Sequence, residues 1–283
     1  MLQIIQNDVQ TVRTIKRILI DETSVCLREE RFFFSEKLVV KSFGEAVTSG
    51  SDFVAEWYNR NTTLVRTCEQ EKNYDEMIEQ AAIGILFEGK KGEAEFAAEA
   101  IADQLRSIKN KCLEHEASQL CVKIYTAETF LYHLVNKVLR EDDKTKVQSL
   151  GPYCYLLSRH VFSRNDKTKG FVYRGASLDQ QMINDYRDSV GKTGKWLSYS
   201  STSKNRLAAE MFAGNALFVI NLDKDPHGIY HKDLNLLSHY PDEEEVLLKA
   251  GTNFTIDKVE KDEKDDKYLI YLTITQEYGE RRP

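Results

Sequence analysis

"KWLSYSSTSKNRLAAEMFAG", residues 195–214, decides the architecture because its period changes halfway. The first nine residues, rich in aromatic and hydroxyl side chains, read as a strand. From Ser203 the spacing becomes helical: Leu207 and Met211, and Ala208 and Phe212, are four apart. Ser203 or Asn205 can cap the start of this helix, and Gly214 stands in a C′ position. One short helix is therefore expected among strands.

Working outward, the chain after residue 170 reads as short strands punctuated by turns: "GFVYRG", "NALFVINLD", "GIYHKD", "EEEVLLKA", "TNFTIDKVEK" and "KYLIYLTIT". "KDEKDDK", residues 261–267, is a charged hairpin tip. Up to about residue 140 the periodicity is helical. In "EFAAEAIADQLRSIKNKCL" the expected stripe is Phe96, Ala97, Ala100, Ile101, Leu105, Ile108 and Cys112. In "AETFLYHLVNKVLR" it is Phe130, Leu131, Leu134, Val135 and Val138, with Thr126 as N-cap. "RFFFSEKLVVKSF" fits a strand pair or a buried helix equally. The expected fold is α+β: an N-terminal helical lobe, residues 1–118, then a mainly antiparallel, sandwich-like β core, residues 119–283.

A chain of 283 residues with 41% hydrophobic content can bury a sizeable core. A net charge of −6 opposes a broad nucleic-acid footprint. The longest apolar runs, such as "LFVI" at 217–220, are too short to cross a bilayer. The start, "MLQIIQNDVQTVRTIK", lacks the apolar region of a signal peptide, and the end, "QEYGERRP", carries no hydrophobic anchor tail. Five cysteines without a CxxC pair read as reduced thiols. These features lead to the expectation of a cytoplasmic protein, with a mature secreted form or secreted effector left open.

Two motifs suggest chemistry and do not carry it. "GKTGK", residues 191–195, ends like a phosphate-binding loop, but the glycine required five positions before Gly191 is Tyr186. His227, His231 and His239 have no accompanying cysteine or HExxH pattern, so they read as surface or core histidines, and no metal is expected.

"SHYPDEEEVLL", residues 238–248, is more informative, because three carboxylates run straight into an apolar segment. If 243–248 is a strand, alternation puts Glu243 and Glu245 on one face and Glu244 on the other. Two carboxylates facing one space suit acid–base work or the stabilisation of a cation. "VYRG" ends an apolar strand on Arg174, a permanent cation suited to an anionic ligand. "SYSSTS" ends another on Ser201, Thr202 and Ser203, hydroxyls that can orient catalytic groups or cap a helix.

In that order, an arginine strand, a Ser-Thr-Ser strand and a Glu-x-Glu strand, the chain resembles the arginine–serine–glutamate class of mono-ADP-ribosyltransferases, which includes clostridial binary toxins and vertebrate ecto-enzymes. The resemblance covers roughly residues 120–275. It extends to "IYTAETFLYHLVNKVLR", with Tyr125, Tyr132, Asn136 and Arg140 matching, and to an aromatic at Tyr240. Tyr199 stands where phenylalanine is more usual.

The resemblance implies NAD as substrate and an arginine-bearing protein as acceptor, with no metal, nucleic acid or membrane partner. Arg174 would grip the phosphates or ribose, Arg140 would add a second phosphate contact, and Tyr132 and Asn136 belong to the same binding set. The Gly175 backbone would bind the nicotinamide carboxamide, a close approach that glycine permits. Ser201 would hold Glu245, Thr202 and Ser203 would shape the pocket floor, and Phe212 would stack on the nicotinamide. Glu245 would stabilise the oxocarbenium-like cation formed as nicotinamide leaves. Glu243 would bind the acceptor together with Tyr240 and act on its proton. In that class Glu at the position of Glu243 accompanies arginine acceptors, and Gln accompanies asparagine or cysteine-type acceptors. NAD glycohydrolase activity, a non-catalytic module of the same fold, and a helical adaptor acting through its N-terminal half remain alternatives.

Overall fold

A computed structural model describes residues 2–7, 11–16, 43–46, 48, 50–127, 129–161, 166–225 and 227–275. Most of "RFFFSEKLVVKSF", along with Cys26 and the C-terminal "QEYGERRP", lies outside the described residues. A hairpin, β1 (Leu2–Asn7) with β2 (Thr11–Lys16), and a short β3 (Gly44–Glu45) precede seven helices: α1 (Asp52–Arg60), α2 (Thr62–Glu71), α3 (Asp75–Lys91), α4 (Glu95–Ser107), α5 (Glu114–Tyr125), α6 (Phe130–Glu141) and α7 (Val147–Val161). Then follow β4 (Phe171–Ala176), α8 (Gln180–Asp188), β5 (Thr193–Trp196), β6 (Ser200–Ser203), α9 (Arg206–Met211), β7 (Ala216–Asn221), β8 (His231–Asp233), β9 (Glu245–Leu248), β10 (Thr252–Asp262) and β11 (Lys267–Ile274). The expected α+β organisation is what the chain adopts.

The helices share one core, in which Trp57, Met77, Ile78, Ile85, Leu105, Val135 and Leu156 are fully or almost fully buried. Small residues, more than large apolar ones, set their approach. A Cβ on Gly84 of α3 would lie 1.8 Å from the Ser149 carbonyl oxygen of α7, and one on Gly151 would lie 2.3 Å from Trp57 Cδ1. A Cβ on Gly89 would lie 2.3 Å from that of Ala98. This corrects the expected stripe on α4. The buried residues are Ala98, Ile101, Ala102 and Leu105, while Phe96 is 86% exposed and Ala100 is also exposed. Close contact selects the alanines, and a phenylalanine on that line would hold the helices apart.

Thr126 is not the N-cap of α6. That position is Thr129, and Thr126 caps the C-terminus of α5, where its hydroxyl donates to Lys123 O. Nor does Gly214 end α9 in a left-handed turn: the helix is capped by Asn205 and closes at Phe212 with φ −101°.

Nine strands form one sheet in the order β3-β5-β10-β11-β7-β4-β6-β9-β8, antiparallel except for β7 with β11. "KWLSYSSTS", expected as one strand, is two. Trp196 ends β5 in the sheet's own core, whereas Tyr199 packs in the helical core, so the chain changes sides between them. The Tyr199 hydroxyl lies 2.7 Å from Ser158 Oγ and donates to Cys154 O at 3.0 Å, which gives the tyrosine at this position its structural reason. The charged hairpin tip falls between β10 and β11. Among the described residues no helix is long and apolar enough to cross a membrane, and the four described cysteines are buried and free.

Candidate active site

Three neighbouring strands carry the polar residues singled out in the sequence. In the order β4-β6-β9, Tyr173 pairs with Ser203, and Ser203 pairs with Glu245. Next to that row, Arg174 is 6% exposed and donates from Nη1 to Ser201 O at 2.8 Å. The three motifs, far apart in sequence, are thus adjacent in the sheet. Ser201, Ser203 and Glu245 are all essentially buried.

One helix faces the same place. On α6, Tyr132, Asn136 and Arg140 recur every fourth residue and so share a face. The Tyr132 ring packs 4.9 Å from Tyr125, Asn136 Nδ2 donates to the Tyr125 hydroxyl at 2.8 Å, and Tyr125 meets Tyr199 edge-on at 5.5 Å. Burial lowers the Arg174 guanidinium below the usual arginine value. Tyr132 and Tyr125 oppose this shift, and the nearby Arg140 adds to it. Arg140 is lowered by burial too. An arginine guanidinium keeps its charge in a protein, so both remain cations. Asn136 Oδ1, Arg140 Nε and Ser201 Oγ are buried polar atoms with no hydrogen-bond partner among the described residues.

The acidic stretch departs from the expected geometry. Pro241–Glu243 is a 3-10 turn, Glu244 is left-handed at φ +47°, and β9 begins only at Glu245. Strand alternation therefore does not apply at 243 and 244. Burial separates the three residues: Glu243 and Glu245 are buried at 8% and 0% exposure, and Glu244 is only partly covered. A left-handed non-glycine residue costs about 1–2 kcal/mol, and the neighbouring strand end pins it. Ser203 Oγ donates to Glu243 O at 2.7 Å, and Lys204 N donates to Glu244 O at 3.2 Å. Ser203 acts here as a clamp on the acidic turn. The Thr202 hydroxyl donates to Val246 O at 2.6 Å.

Gly175 has a structural reason of its own. A Cβ there would lie 2.5 Å from Ala213 N and 2.6 Å from Ala209 O, so the close approach that glycine permits is made by the end of α9. Phe212 closes that helix and is half-buried. Tyr240 precedes the 3-10 turn, and its carbonyl accepts from Glu243 N at 3.1 Å. Sequence reasoning passed over Ser238, whose Oγ lies 3.3 Å from Glu245 Oε2, and the Thr126–His239 contact of 3.0 Å. No spacing rule marks a loop serine as a partner of a strand carboxylate seven residues further on, and only the folded loop brings them together.

A groove of about 990 Å³, lined by Arg159, Lys167, Lys204, Lys232 and Leu236 among others, contains none of the four residues Arg174, Ser201, Glu243 and Glu245. Of the three histidines, His231 is a core residue, with Nδ1 3.1 Å from Asp225 Oδ2, and His227 and His239 are exposed. Among the described residues no group of three or more His, Cys, Asp or Glu side chains could hold a metal ion.

The sequence profile of the ADP-ribosyltransferase exoenzyme family matches residues 102–277, well over half of the chain. The chain belongs to the ADP-ribosyltransferase exoenzyme family. NAD is the substrate that this family uses. A protein of Mycobacterium avium (strain 104), provisionally named NAD(+)–arginine ADP-ribosyltransferase Mav, is 28% identical over 104 residues. That match covers 37% of this chain and 12% of the Mycobacterium protein, so the two share only a small part of the larger one. Among solved structures, Plx2a, an ADP-ribosyltransferase toxin from Paenibacillus larvae, is 16% identical with a TM-score of 0.48, covering 66% of this chain and 96% of the toxin. The catalytic domain of VahC from Aeromonas hydrophila is 19% identical with a TM-score of 0.45, covering 56% of this chain and 97% of that domain.

Proposed function

We propose that this ADP-ribosyltransferase moves ADP-ribose from NAD to an arginine side chain of a protein. The observation that carries the reading is the acidic turn, which buries Glu243 and Glu245 on either side of Glu244, beside the strands that bear Arg174 and Ser201. In this reading Arg174 and Arg140 hold the NAD pyrophosphate, and two neighbouring cations suit that double negative charge. Asn136 Oδ1 and Ser201 Oγ, buried without partners among the described residues, are open to the ligand's hydroxyl and amide groups. In the same reading Tyr132 and Phe212 contribute ring surface, and the Gly175 backbone binds the nicotinamide carboxamide.

Nicotinamide departure leaves positive charge on the ribose, and Glu245 supplies a fixed negative charge where it develops. The incoming guanidinium is protonated at neutral pH and must lose a proton as its nitrogen bonds to the sugar carbon. Glu243, the other buried carboxylate of the turn, binds it with Tyr240 and takes that proton. The partial identity with the Mycobacterium protein and the glutamate at position 243 support arginine as the acceptor.

The test is incubation with labelled NAD and agmatine, a small guanidine, followed by separation of nicotinamide, free ADP-ribose and ADP-ribosyl-agmatine. The proposal expects the agmatine adduct. Nicotinamide and free ADP-ribose without adduct would make the protein an NAD glycohydrolase and would overturn the arginine assignment.

A further inference from the structure

We infer that Ser238 is a positioning residue for Glu245, so that the loop before the acidic turn also sets the geometry of the carboxylate that faces the sugar cation. The inference rests on the proposed role of Glu245 in NAD cleavage and does not depend on which acceptor is used.

A run of hydrogen bonds links the preceding loop to Glu245. Its backbone carbonyl accepts from Leu234 N at 2.9 Å. The Leu234 carbonyl accepts from Leu237 N and Ser238 N, both at 2.7 Å, so the loop turns tightly at its junction with β9. The Ser238 hydroxyl accepts from Tyr240 N at 3.1 Å and donates to Glu245 Oε2 at 3.3 Å. The amide N–H polarises the hydroxyl and so strengthens the hydrogen bond that it donates to the carboxylate. Tyr240 N occupies one of the two acceptor lone pairs of Ser238 Oγ, which leaves the hydroxyl proton for Glu245. One residue further on, His239 Nδ1 meets Thr126 Oγ at 3.0 Å, which ties the loop to the C-terminus of α5.

The resemblance assigned the holding of Glu245 to Ser201. In the structure Ser201 Oγ makes no hydrogen bond to any described residue, and Ser201 pairs across the sheet with Leu247, two residues beyond Glu245. The hydroxyl of Ser238, which does reach the carboxylate, comes from the loop. Tyr240, whose amide orients Ser238, belongs to the same loop as the proposed acceptor contact, so displacement of that loop moves the carboxylate's donor with it.

The experiment measures nicotinamide release from NAD without acceptor, together with NAD affinity, for the full chain and for Ser238→Ala, Ser238→Thr and Ser201→Ala. A lost hydrogen bond to a charged group predicts a fall in kcat of about tenfold or more in Ser238→Ala. NAD affinity and melting temperature should stay at the wild-type values, and Ser238→Thr, which keeps the hydroxyl, should recover most of the rate. Ser201→Ala should lower kcat less than Ser238→Ala does. Wild-type kcat in Ser238→Ala, a larger fall in Ser201→Ala, or a loss confined to NAD affinity would overturn the inference. A wild-type protein that releases nicotinamide but modifies no agmatine would overturn the acceptor assignment and leave Ser238 standing.

Discussion

Two buried polar clusters in this molecule are built in contrasting ways. In the helical core, Glu88 of α3 is 3% exposed, yet both of its carboxylate oxygens are engaged, one by the Lys146 ammonium and the other by Ser149 Oγ at 2.6 Å. In the sheet, Ser201 Oγ is just as deeply buried and has no partner among the described residues, and neither have Arg140 Nε and Asn136 Oδ1 on the facing helix. A buried polar atom left without a hydrogen bond costs about 1–3 kcal/mol. The Glu88 cluster avoids that cost internally, whereas the sheet cluster carries it. Polar groups that complete one another hold a fold together, and groups left for something else to complete mark a site.

The largest expected effect on turnover is at Glu245. Replacing it by Gln keeps its shape and removes its charge, so nicotinamide release should fall by about 10²–10³ while NAD binding and the melting temperature are retained. Near wild-type turnover would remove Glu245 from the site. The Glu88→Ala variant should behave in the reverse way. Breaking a buried ion pair by removing one partner costs about 3–5 kcal/mol. Denaturant unfolding should show that loss, with turnover per folded molecule unchanged; a catalytic defect at full stability would erase the distinction between the clusters. The smallest effect belongs to Glu244, which is only partly covered and contributes its backbone to the turn. Glu244→Ala should change nicotinamide release and agmatine modification by no more than about twofold, in line with a substitution away from packed features. A larger loss in either assay would place its side chain in the chemistry.

Much of this arrangement is legible in the sequence, and the failures have physical causes. β4, β7, β10 and β11 are readable because apolar β-formers are bounded by turn residues, and the candidate site residues stand out in the sequence because an arginine, three hydroxyl residues and two glutamates lie at or beside strand ends. α7 escaped notice because "GPYCYLLSRH" opens with two residues that usually interrupt helices. Here Gly151 is the contact point with Trp57, and Pro152 lies within the helix. The stripe on α4 was rotated because contact between Gly89 and Ala98 outweighs the hydrophobicity of Phe96. At 243–245 strand alternation was the wrong frame: a 3-10 turn and a left-handed Glu244, held by Ser203 and Lys204, stand where a continuous strand was expected. Ser238 could not be found by spacing at all, because a loop that folds back on Leu234 brings it to Glu245.

The central claim is that the two buried glutamates divide the reaction, Glu245 serving departure of nicotinamide and Glu243 serving attack by the guanidine. The most direct measurement is the ratio of ADP-ribosyl-agmatine to nicotinamide formed in one reaction mixture, compared between the wild-type protein and Glu243→Gln. Loss of a positioned base costs about 10²–10⁴ in the step it serves. The ratio should therefore collapse by at least about two orders of magnitude, with much of the nicotinamide release preserved as hydrolysis. An unchanged ratio, whether because agmatine is still modified or because both products fall by the same factor, would contradict the account.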